Sequence, residues 1–333
     1  MTTIREVAKR AGVAPITVSR VLNKSGYFSQ EIKDRVEAAV AELHYVPNML
    51  ARSLRSNRTQ TLGLVLSDIT NPFWTTVARG VEDAASQQGF NVILCNTDEK
   101  ESKQAEYLAV LLRKRVDGIL LVPARSTPES VKTIQKQGVQ VVVMDRRVPG
   151  AEVDVVRGSS TQGAFELVDY LLKLGHRRIA ILTGPENVST AQERVNGCKQ
   201  AFKAAKAPEA NMTVIAGEFT IESGYALAQQ AVALTPRPTA LFAANNFIAI
   251  GTLKALHDLG LRVPEDVSVV SFDDLPVSLV VDPFLTVAAQ PAYQMGQRAT
   301  ELLLQRIFSP AATPGQEVVL PTQLIVRQSC RAV

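Results

Sequence analysis

Residues 3–23 read TIREVAKRAGVAPITVSRVLN, and this stretch predicts two short helices joined by a tight turn. Thr3 followed three residues later by Glu6 has the form of a capping box at a helix start. Gly12 can adopt the left-handed conformation that ends a helix, and Pro15 suits the first turn of the next one. Because the second helix would bury one apolar face and expose Thr, Ser and Arg, the pair is typical of a DNA-binding helix-turn-helix.

The positive charge of the chain is concentrated at the same end. Residues 1–60 hold ten Lys and Arg against five Asp and Glu, whereas the whole chain has a net charge of +4. A cationic excess confined to one end is expected if only that end meets a polyphosphate. A solvated basic surface is the alternative interpretation, but its coincidence with a capped helix pair favours DNA.

A third helix, opened by Ser29, is predicted to complete a three-helix head over residues 1–46. Pro47 ends that helix, and residues 47–60 are predicted to form a hinge helix and a polar linker. Residues 48–55 have a composition that favours a helix, but the segment is shorter than the roughly 12–15 residues that an isolated helix needs. We therefore expect this segment to fold only when it binds DNA.

Composition excludes several classes of protein. No apolar run is long enough to span a membrane, and the chain opens on a capped helix with no secretory leader, so we expect a cytoplasmic protein. The three cysteines, Cys95, Cys198 and Cys330, are widely spaced and predict neither disulfides nor zinc. No phosphate-binding loop, nucleophile elbow or metalloprotease motif is present. We expect no enzyme activity, no cofactor and no metal.

From residue 61 to residue 333, short apolar runs alternate with amphipathic segments in two series of similar length. This pattern predicts an α/β core of two doubly wound parallel sheets covered by helices on both faces. The predicted strands are Leu62–Leu66, Val92–Cys95, Gly118–Val122 and Val141–Met144, then Ile179–Leu182, Val214–Ala216, Ala240–Ala243 and Val267–Phe272. The predicted helices are Thr76–Gln88, Ser102–Lys114, Pro128–Gln137, Gln162–Leu174, Thr190–Ala205, Glu222–Leu234 and Ile248–Leu259.

Polar and aromatic residues follow these predicted strands, where open α/β sheets bind ligands. Any one of them could be a turn, a cap or a surface ion pair, but together they place charged, amide and aromatic groups at one cleft. Such a set suits a polyhydroxy ligand, because hydroxyls bind the polar groups and aromatic rings cover C–H faces. The candidates near strand ends are Asn71, Phe73, Trp74, Asp145, Arg146, Phe219, Asn245 and Asp273. Arg194, in a predicted helix of the second series, and Gln290, at a crossover, complete the set.

Four motifs closely resemble the LacI/GalR family of bacterial transcription regulators. They are TIREVAKRAGV at residues 3–13, TVSRVLN at 17–23, YVPN at 45–48 and ARSL at 51–54. The resemblance implies a periplasmic-binding-protein-like core whose chain crosses between two lobes near Gly158, Gln290 and Pro321. Lobe one would then comprise about 61–158 and 291–320, and lobe two about 159–289 and 321–333.

The resemblance also implies how the head would contact DNA. Pro15, Ile16 and Arg20 would enter the major groove, and Arg20 can pair bidentately with guanine. Phosphate contacts are expected of Thr3, Thr17, Ser19 and Asn23. The hinge contacts would come from Asn48, Ala51, Leu54 and Arg55, with Leu54 inserted as an apolar wedge in the minor groove. A single head reads few bases, so a homodimer on a palindromic operator is expected. With no leucine heptad after the core, a dimer is favoured over a tetramer.

The ten cleft candidates resemble the ligand shell of ribose-binding proteins and ribose-type repressors. A monosaccharide such as ribose is therefore the expected effector of a DNA-binding regulator. A sugar acid, a phosphorylated sugar or a nucleobase is the alternative, although Val188 replaces a polar residue of purine-responsive relatives. A sugar-binding transport protein or a sugar enzyme is a less favoured class, because neither needs a helix-turn-helix.

Overall fold

The computed structural model describes residues 2–23, 25–46, 58–208, 211–275, 282–309 and 314–333. The chain divides into two compact units, Met1–Thr59 and Gln60–Val333. The predicted hinge helix at residues 48–55 lies outside the described residues. None of the helices in the described part of the chain combines the length and apolarity needed to cross a membrane.

The first unit is a bundle of three helices, which confirms the predicted head. Its helices are α1 (Ile4–Ala11), α2 (Pro15–Leu22) and α3 (Gln30–Glu42). Thr3 and Glu6 form the capping box of α1, and Gly12 ends that helix with a φ of 65°. Arg35 of α3 donates to the carbonyl oxygens of Ala11 and Gly12 at 2.5 and 3.1 Å, so α3 fastens the turn that positions α2.

The second unit contains two six-stranded sheets, the first of which is wholly parallel. Its strands, in order across the sheet, are β11 (Glu317–Leu320), β5 (Asp154–Gly158), β4 (Gln140–Met144), β3 (Gly118–Leu121), β1 (Thr61–Leu66) and β2 (Asn91–Asn96). Its helices are α4 (Pro72–Gln87), α5 (Glu101–Arg113), α6 (Glu129–Lys136) and α11 (Ala292–Phe308). Leu62 and Leu64 pack in one apolar cluster and Val65 in another, since both faces of the sheet are covered.

The second sheet repeats this plan with one antiparallel edge strand. Its strands, in order, are β12 (Gln323–Ile325), β10 (Thr286–Ala289), β9 (Ser268–Phe272), β8 (Ala240–Ala243), β6 (Ile179–Thr183) and β7 (Met212–Ala216), and β12 is antiparallel to β10. Its helices are α7 (Ser160–Lys173), α8 (Ser189–Ala204), α9 (Ile221–Val232) and α10 (Asn246–Asp258). A single large apolar cluster joins them to the sheet.

The chain passes between the two lobes three times. β5 ends in the first sheet at Gly158, and α7 then packs on the second. β10 belongs to the second sheet, and α11 after it packs on the first. Two residues separate β11 in the first sheet from β12 in the second. The two lobes are therefore joined by three connecting segments within one compact unit.

Four strands of the core were not predicted from the sequence: β5, β10, β11 and β12. All are short, and charged residues interrupt two of them. Asp154 in β5 is buried, where it accepts hydrogen bonds from Arg306 Nε and Nη2 at 2.7 and 2.8 Å. Because such burial depends on a partner some 150 residues away, the local pattern does not reveal it.

Candidate functional site

The outer face of α2 exposes the residues that the sequence assigns to base contacts. Pro15, Ile16 and Arg20 are exposed, Ile16 by 51% although it is apolar. Arg20 takes part in none of the ion pairs between the described residues of the head. An exposed apolar side chain and an unpaired guanidinium on one helix can contact a thymine methyl group and a guanine edge.

The residues assigned to phosphates lie around the same helix. Thr17 and Ser19 are half-buried on α2, and Asn23 after it donates to the Ser19 carbonyl oxygen at 2.8 Å. Thr3 is exposed, although its hydroxyl already takes part in the capping box. Asn48, Ala51, Leu54 and Arg55 lie outside the described residues. The DNA contacts of all these residues stay predictions.

A cavity of about 380 Å³ lies in the second unit, and residues from both lobes line it. All ten cleft candidates are among the lining residues. The first lobe contributes Asn71, Phe73, Trp74, Asp145 and Arg146, the second contributes Arg194, Phe219, Asn245 and Asp273, and Gln290 lies in the connection after β10. The fold thus brings together residues spread over 220 positions of sequence, while their role in binding stays a prediction.

Asn71 and Asn245 occupy equivalent places in the two lobes, each as the N-cap of the helix after a strand. Each accepts a hydrogen bond from a backbone amide in the first turn of its helix, at 3.0 Å for Asn71 and 2.8 Å for Asn245. With this cap and with Pro72 at the first helical position, α4 begins four residues before the predicted start at Thr76. The caps hold both asparagines at the cavity wall.

Asn71 also joins the two lobes directly. Its Nδ2 donates to Asn246 Oδ1 at 2.8 Å, and Asn246 Nδ2 donates back to Asn71 Oδ1 at 2.9 Å. Both side chains are buried. Since hydrogen bonds out of water are strengthened electrostatically, this reciprocal amide pair is a firm contact between lobes beside the cavity.

Asp145 and Asp273 form a second matched pair. Each directly follows a strand, β4 or β9, and each has a left-handed backbone, with φ of 65° and 66°. The amide of Asp145 donates to the Val156 carbonyl oxygen at 2.8 Å, and that of Asp273 to the Ala288 carbonyl oxygen at 3.0 Å. Such φ values are uncommon outside glycine and persist where the surroundings enforce them, often at functional sites.

Arg194 on α8 interacts electrostatically with both of these carboxylates. Its guanidinium is stacked on the Phe272 ring at 3.9 Å from the centroid, and its Nη1 donates to the Ala244 carbonyl oxygen at 2.5 Å. Asp273 Oδ2 lies 4.0 Å from Nη1. The arginine is therefore oriented by an aromatic ring and a carbonyl group, and its Nε has no partner among the described residues.

Arg146 lines the cavity but is largely occupied by other groups. Its Nη1 and Nη2 donate to the two carboxylate oxygens of Glu99 at 2.7 and 2.5 Å, and Nη1 also donates to the Pro123 carbonyl oxygen at 2.6 Å. Only Nε lacks a partner among the described residues. The sequence suggested a guanidinium free to bind hydroxyls, whereas the structure shows one held by a bidentate ion pair.

Several buried polar atoms of the lining residues have no hydrogen-bond partner in the described part of the chain. They are Ser67 Oγ, Asp145 Oδ1, Arg146 Nε, Arg194 Nε and Gln290 Oε1. A buried polar group left unsatisfied costs about 1–3 kcal/mol. The set contains both acceptors and donors, and Phe73, Trp74 and Phe219 supply aromatic surface nearby. A ligand with several hydroxyls and C–H faces can satisfy both.

Burial dominates the titration of the two carboxyl groups. It raises the pKa of Asp273 to about 6, although Arg194 and a hydrogen bond from Gln290 oppose the shift. Burial also raises the pKa of Asp145, against the charges of Arg194 and Arg146. A proton or a hydrogen-bond donor on these carboxyl groups is therefore favoured.

The cavity has further lining residues that the sequence analysis missed. They are Ser67, Asp68, Asp98, Glu99, Lys100, Arg125, Thr190, Glu218 and Thr220. Asp98 and Glu99 follow β2 as Asn71 follows β1, so the strand-end rule applied to every strand would have found them. Six carboxylates and four cations line the cavity in all. No group of three metal-ligating side chains occurs among the residues that the structure describes.

Two family matches together cover nearly all of the chain. Residues 3–48 match the bacterial regulatory proteins of the lacI family, and residues 59–328 match the periplasmic binding proteins and sugar binding domain of the LacI family. The chain belongs to the LacI family of transcriptional regulators.

Individual relatives extend over almost the same length. The ribose operon repressor of Halalkalibacterium halodurans is 37% identical, covering 99% of this chain and 98% of its own. The transcriptional repressor PurR of Vibrio atlanticus is 36% identical, covering 92% of each chain. Both names denote repressors.

Solved structures are similar as well. A LacI family regulator from Enterococcus faecium with bound ribose is 32% identical with a TM-score of 0.74, over 82% of this chain and 99% of that one. The lac repressor dimer bound to operator and the anti-inducer ONPF is 27% identical with a TM-score of 0.87, over 99% of both chains. The whole described architecture is thus that of a LacI-type regulator.

Proposed function

We propose that this protein is a transcriptional repressor that binds a palindromic operator as a homodimer and responds to a small neutral sugar. The observation that carries the proposal is the cavity, where unpartnered buried polar atoms and three aromatic side chains lie together. The same chain presents an exposed recognition helix, which a transport protein or a sugar enzyme does not need. A regulator of this kind acts in the cytoplasm.

The choice of a sugar is supported from two sides. Relatives named ribose operon repressor and a neighbour holding ribose match the chain over most of its length. The mixture of donors, acceptors and aromatic rings suits hydroxyl groups and C–H faces. A nucleobase is the second candidate, since PurR is as similar overall.

The homodimer is supported by a neighbour and by the surface. The lac repressor structure is a dimer on its operator. In this chain the edge strand β2 of the first lobe leaves Leu94 39% exposed. We propose that a second copy covers this edge, because an open apolar edge strand favours association. Sedimentation equilibrium at micromolar concentration should give a dimer.

The function is tested by operator binding with and without ligand. Operators are first selected from random duplexes by the full-length protein, and affinity is then measured by fluorescence anisotropy at fixed salt. Ribose, other neutral monosaccharides, cellobiose, hypoxanthine and guanine are titrated in turn. We expect a palindromic site and a change of at least fivefold in affinity with one neutral sugar. A response to a purine alone would instead support the second candidate. If the selection yields no DNA sequence that the protein binds specifically, the proposal of a DNA-binding regulator is overturned.

A further inference from the structure

Glu99 occupies an unusual backbone position at the cavity. It follows β2 in a segment where Asp98 and Glu99 have φ of 50° and 58°. Two successive residues other than glycine in the left-handed region are uncommon. Both have anchors: Asp98 accepts from Lys103 Nζ and Asn96 Nδ2, each at 2.6 Å, and Arg125 Nη1 donates to the Glu99 carbonyl oxygen at 3.4 Å.

The Glu99 side chain accepts hydrogen bonds from Nη1 and Nη2 of Arg146, the two donors that an anionic ligand would need. An arginine binds a phosphate or carboxylate most strongly through two parallel N–H···O hydrogen bonds. The Glu99 carboxylate already accepts both, at 2.5 and 2.7 Å, and the Arg146 side chain is 3% exposed. A second anion at this guanidinium would lie beside the half-buried Glu99 carboxylate, and two neighbouring like charges that are partly removed from water repel each other.

What remains on this side of the cavity favours a donor over an anion. Asp145 Oδ1 is a buried acceptor without a partner among the described residues. A hydroxyl group can donate to it, whereas a fully ionised phosphate cannot. The other cations here are Lys100, which is exposed, and Arg125, which is half-buried and whose Nη1 donates to the carbonyl oxygens of Glu99 and Ala124. Solvent and salt screen the attraction of exposed charges for an anion.

From this geometry we infer that Glu99 determines the charge preference of the effector site. By occupying Nη1 and Nη2 of Arg146, it makes the cavity accept neutral polyhydroxy compounds and reject phosphorylated or carboxylated ones. The inference rests on the proposed function, because it names the chemical class of effector that the same cavity takes. Glu99 acts here as a specificity-determining residue.

The first test needs no sugar. Inorganic phosphate is titrated into the full-length wild type, Glu99→Gln and the control Glu101→Gln, which removes an exposed carboxylate two residues away at the start of α5. Trp74, the only tryptophan of the chain, lines the cavity and reports occupancy by its fluorescence. Glu99→Gln should bind phosphate at least tenfold more tightly than the other two proteins. Equal responses of all three would overturn the inference.

The second test compares matched ligands by calorimetry. Wild type should prefer D-ribose to D-ribose 5-phosphate by at least tenfold, and Glu99→Gln should lose most of that preference. Glu99→Asp keeps the charge and should retain it, and thermal unfolding checks that each variant folds. A wild type that prefers the phosphate would overturn the inference and leave the regulator standing. If no neutral sugar in the operator panel binds, the proposed effector class fails, and the phosphate titration alone decides the role of Glu99.

Discussion

Among single residues, the two arginines of the cavity differ in what they can offer a ligand. Each keeps Nε without a partner in the described chain, but Arg194 is stacked on Phe272 with Nη1 on a carbonyl oxygen, whereas Glu99 accepts from both terminal nitrogens of Arg146. Similar strand-end or helix positions therefore do not imply similar roles. The free hydrogen-bonding capacity of each side chain depends on its neighbours, and this decides which groups face an effector.

Replacing Arg20 with alanine should relax the choice of operator. A bidentate arginine–guanine pair contributes about 1–3 kcal/mol of discrimination between bases, and Arg20 is exposed without an ion-pair partner among the described head residues. The ranking of single-base operator variants should therefore flatten at one position of each half-site. The control is Arg262→Ala, which removes an equal charge from the surface of the second unit, where Arg262 pairs with Asp266. An unchanged ranking in Arg20→Ala would contradict the assignment.

Asp273 should make the stability of the ligand-free protein fall as pH rises. Burial raises its pKa from 3.8 to about 6, so the folded state holds the proton more tightly than the unfolded state. The proton on Asp273 contributes at most about 3 kcal/mol to the free energy of unfolding. This contribution is fully present below about pH 4 and is lost as the pH rises through about 6. Asp273→Asn does not titrate, so its stability relative to wild type should rise across this interval in urea unfolding.

A control of opposite sign is available for this experiment. The pKa of Asp266 is lowered, first by a hydrogen bond from the Arg262 backbone and then by one from its side chain. Asp266→Asn should therefore lose stability relative to wild type as pH rises through the acid range, although only slightly because the group is exposed. A pH-independent difference between wild type and Asp273→Asn would contradict the shifted pKa.

Among the secondary-structure elements, glycines allow paired helices to approach closely. A Cβ at Gly251 of α10 would lie 2.1 Å from the Ile221 carbonyl oxygen of α9, and one at Gly224 of α9 would lie 2.4 Å from that of Ile248. In the first lobe, a Cβ at Gly296 of α11 would lie 2.1 Å from the Val77 carbonyl oxygen of α4. Backbone contact at these crossings fixes the positions of α4 and α10. These are the two helices whose N-caps, Asn71 and Asn245, line the cavity.

Gly251→Ala should destabilise the second unit in spite of the higher helix propensity of alanine. The added methyl group meets backbone that cannot move alone, and overpacking of this kind typically costs about 1–3 kcal/mol. Lys254→Ala on the exposed side of the same helix is the control and should change little. Urea unfolding followed by circular dichroism measures both. Equal midpoints for Gly251→Ala and wild type would mean that the helices can separate without cost.

For the whole molecule, the two lobes are joined by hydrogen bonds between residues at and next to the cavity wall. Asn71 and Asn246 bind each other at the cavity wall. Ser189 at the start of α8 donates its amide to Ser126 Oγ at 2.9 Å and accepts from the Arg147 amide at 2.8 Å. A ligand that contacts both lobes adds to these bonds, so it can shift the balance between arrangements of the lobes.

Asp273→Ala should uncouple the effector from DNA. Asp273 lies in the second lobe among the unpartnered groups of the cavity, and its loss removes an acceptor that a sugar would use. Sugar affinity should fall at least tenfold, while operator affinity without sugar stays within about twofold of wild type. Anisotropy titrations at several sugar concentrations measure both. Sugar affinity equal to wild type would show that the site is misplaced.

The wild type should also obey linkage. A coupling of about 1–3 kcal/mol must appear equally in both directions, so saturating operator must change sugar affinity by the factor by which sugar changes operator affinity. Calorimetry of the sugar with and without a bound operator duplex gives the second factor. Tight sugar binding in the cavity with no change in operator affinity would leave the site standing and remove the switch.

The sequence by itself determined the three helices of the head and the eight strands of the core that carry a clear apolar run, but not the strands β5, β10, β11 and β12. The capping box at Thr3 and Glu6, the glycine turn and the alternation of apolar runs with amphipathic segments are local signals, readable because hydrophobic periodicity and caps act over a few residues. The same locality located the ends of the predicted strands, and so most of the ten candidates that line the cavity. The resemblance of four whole motifs to the LacI/GalR family then identified the family of the chain.

Only the tertiary structure decided which side chains bind one another. Burial of Asp154 in β5 depends on Arg306, Asn71 pairs with Asn246, and Arg146 is taken by Glu99, partners that lie 47 to 175 residues apart in the chain. No periodic pattern encodes such pairs, because packing of the helices and sheets brings them together. The same packing leaves Asp145 Oδ1 and Gln290 Oε1 buried without partners among the described residues. The sequence places polar residues at the cavity, and packing determines which of their atoms remain for a ligand.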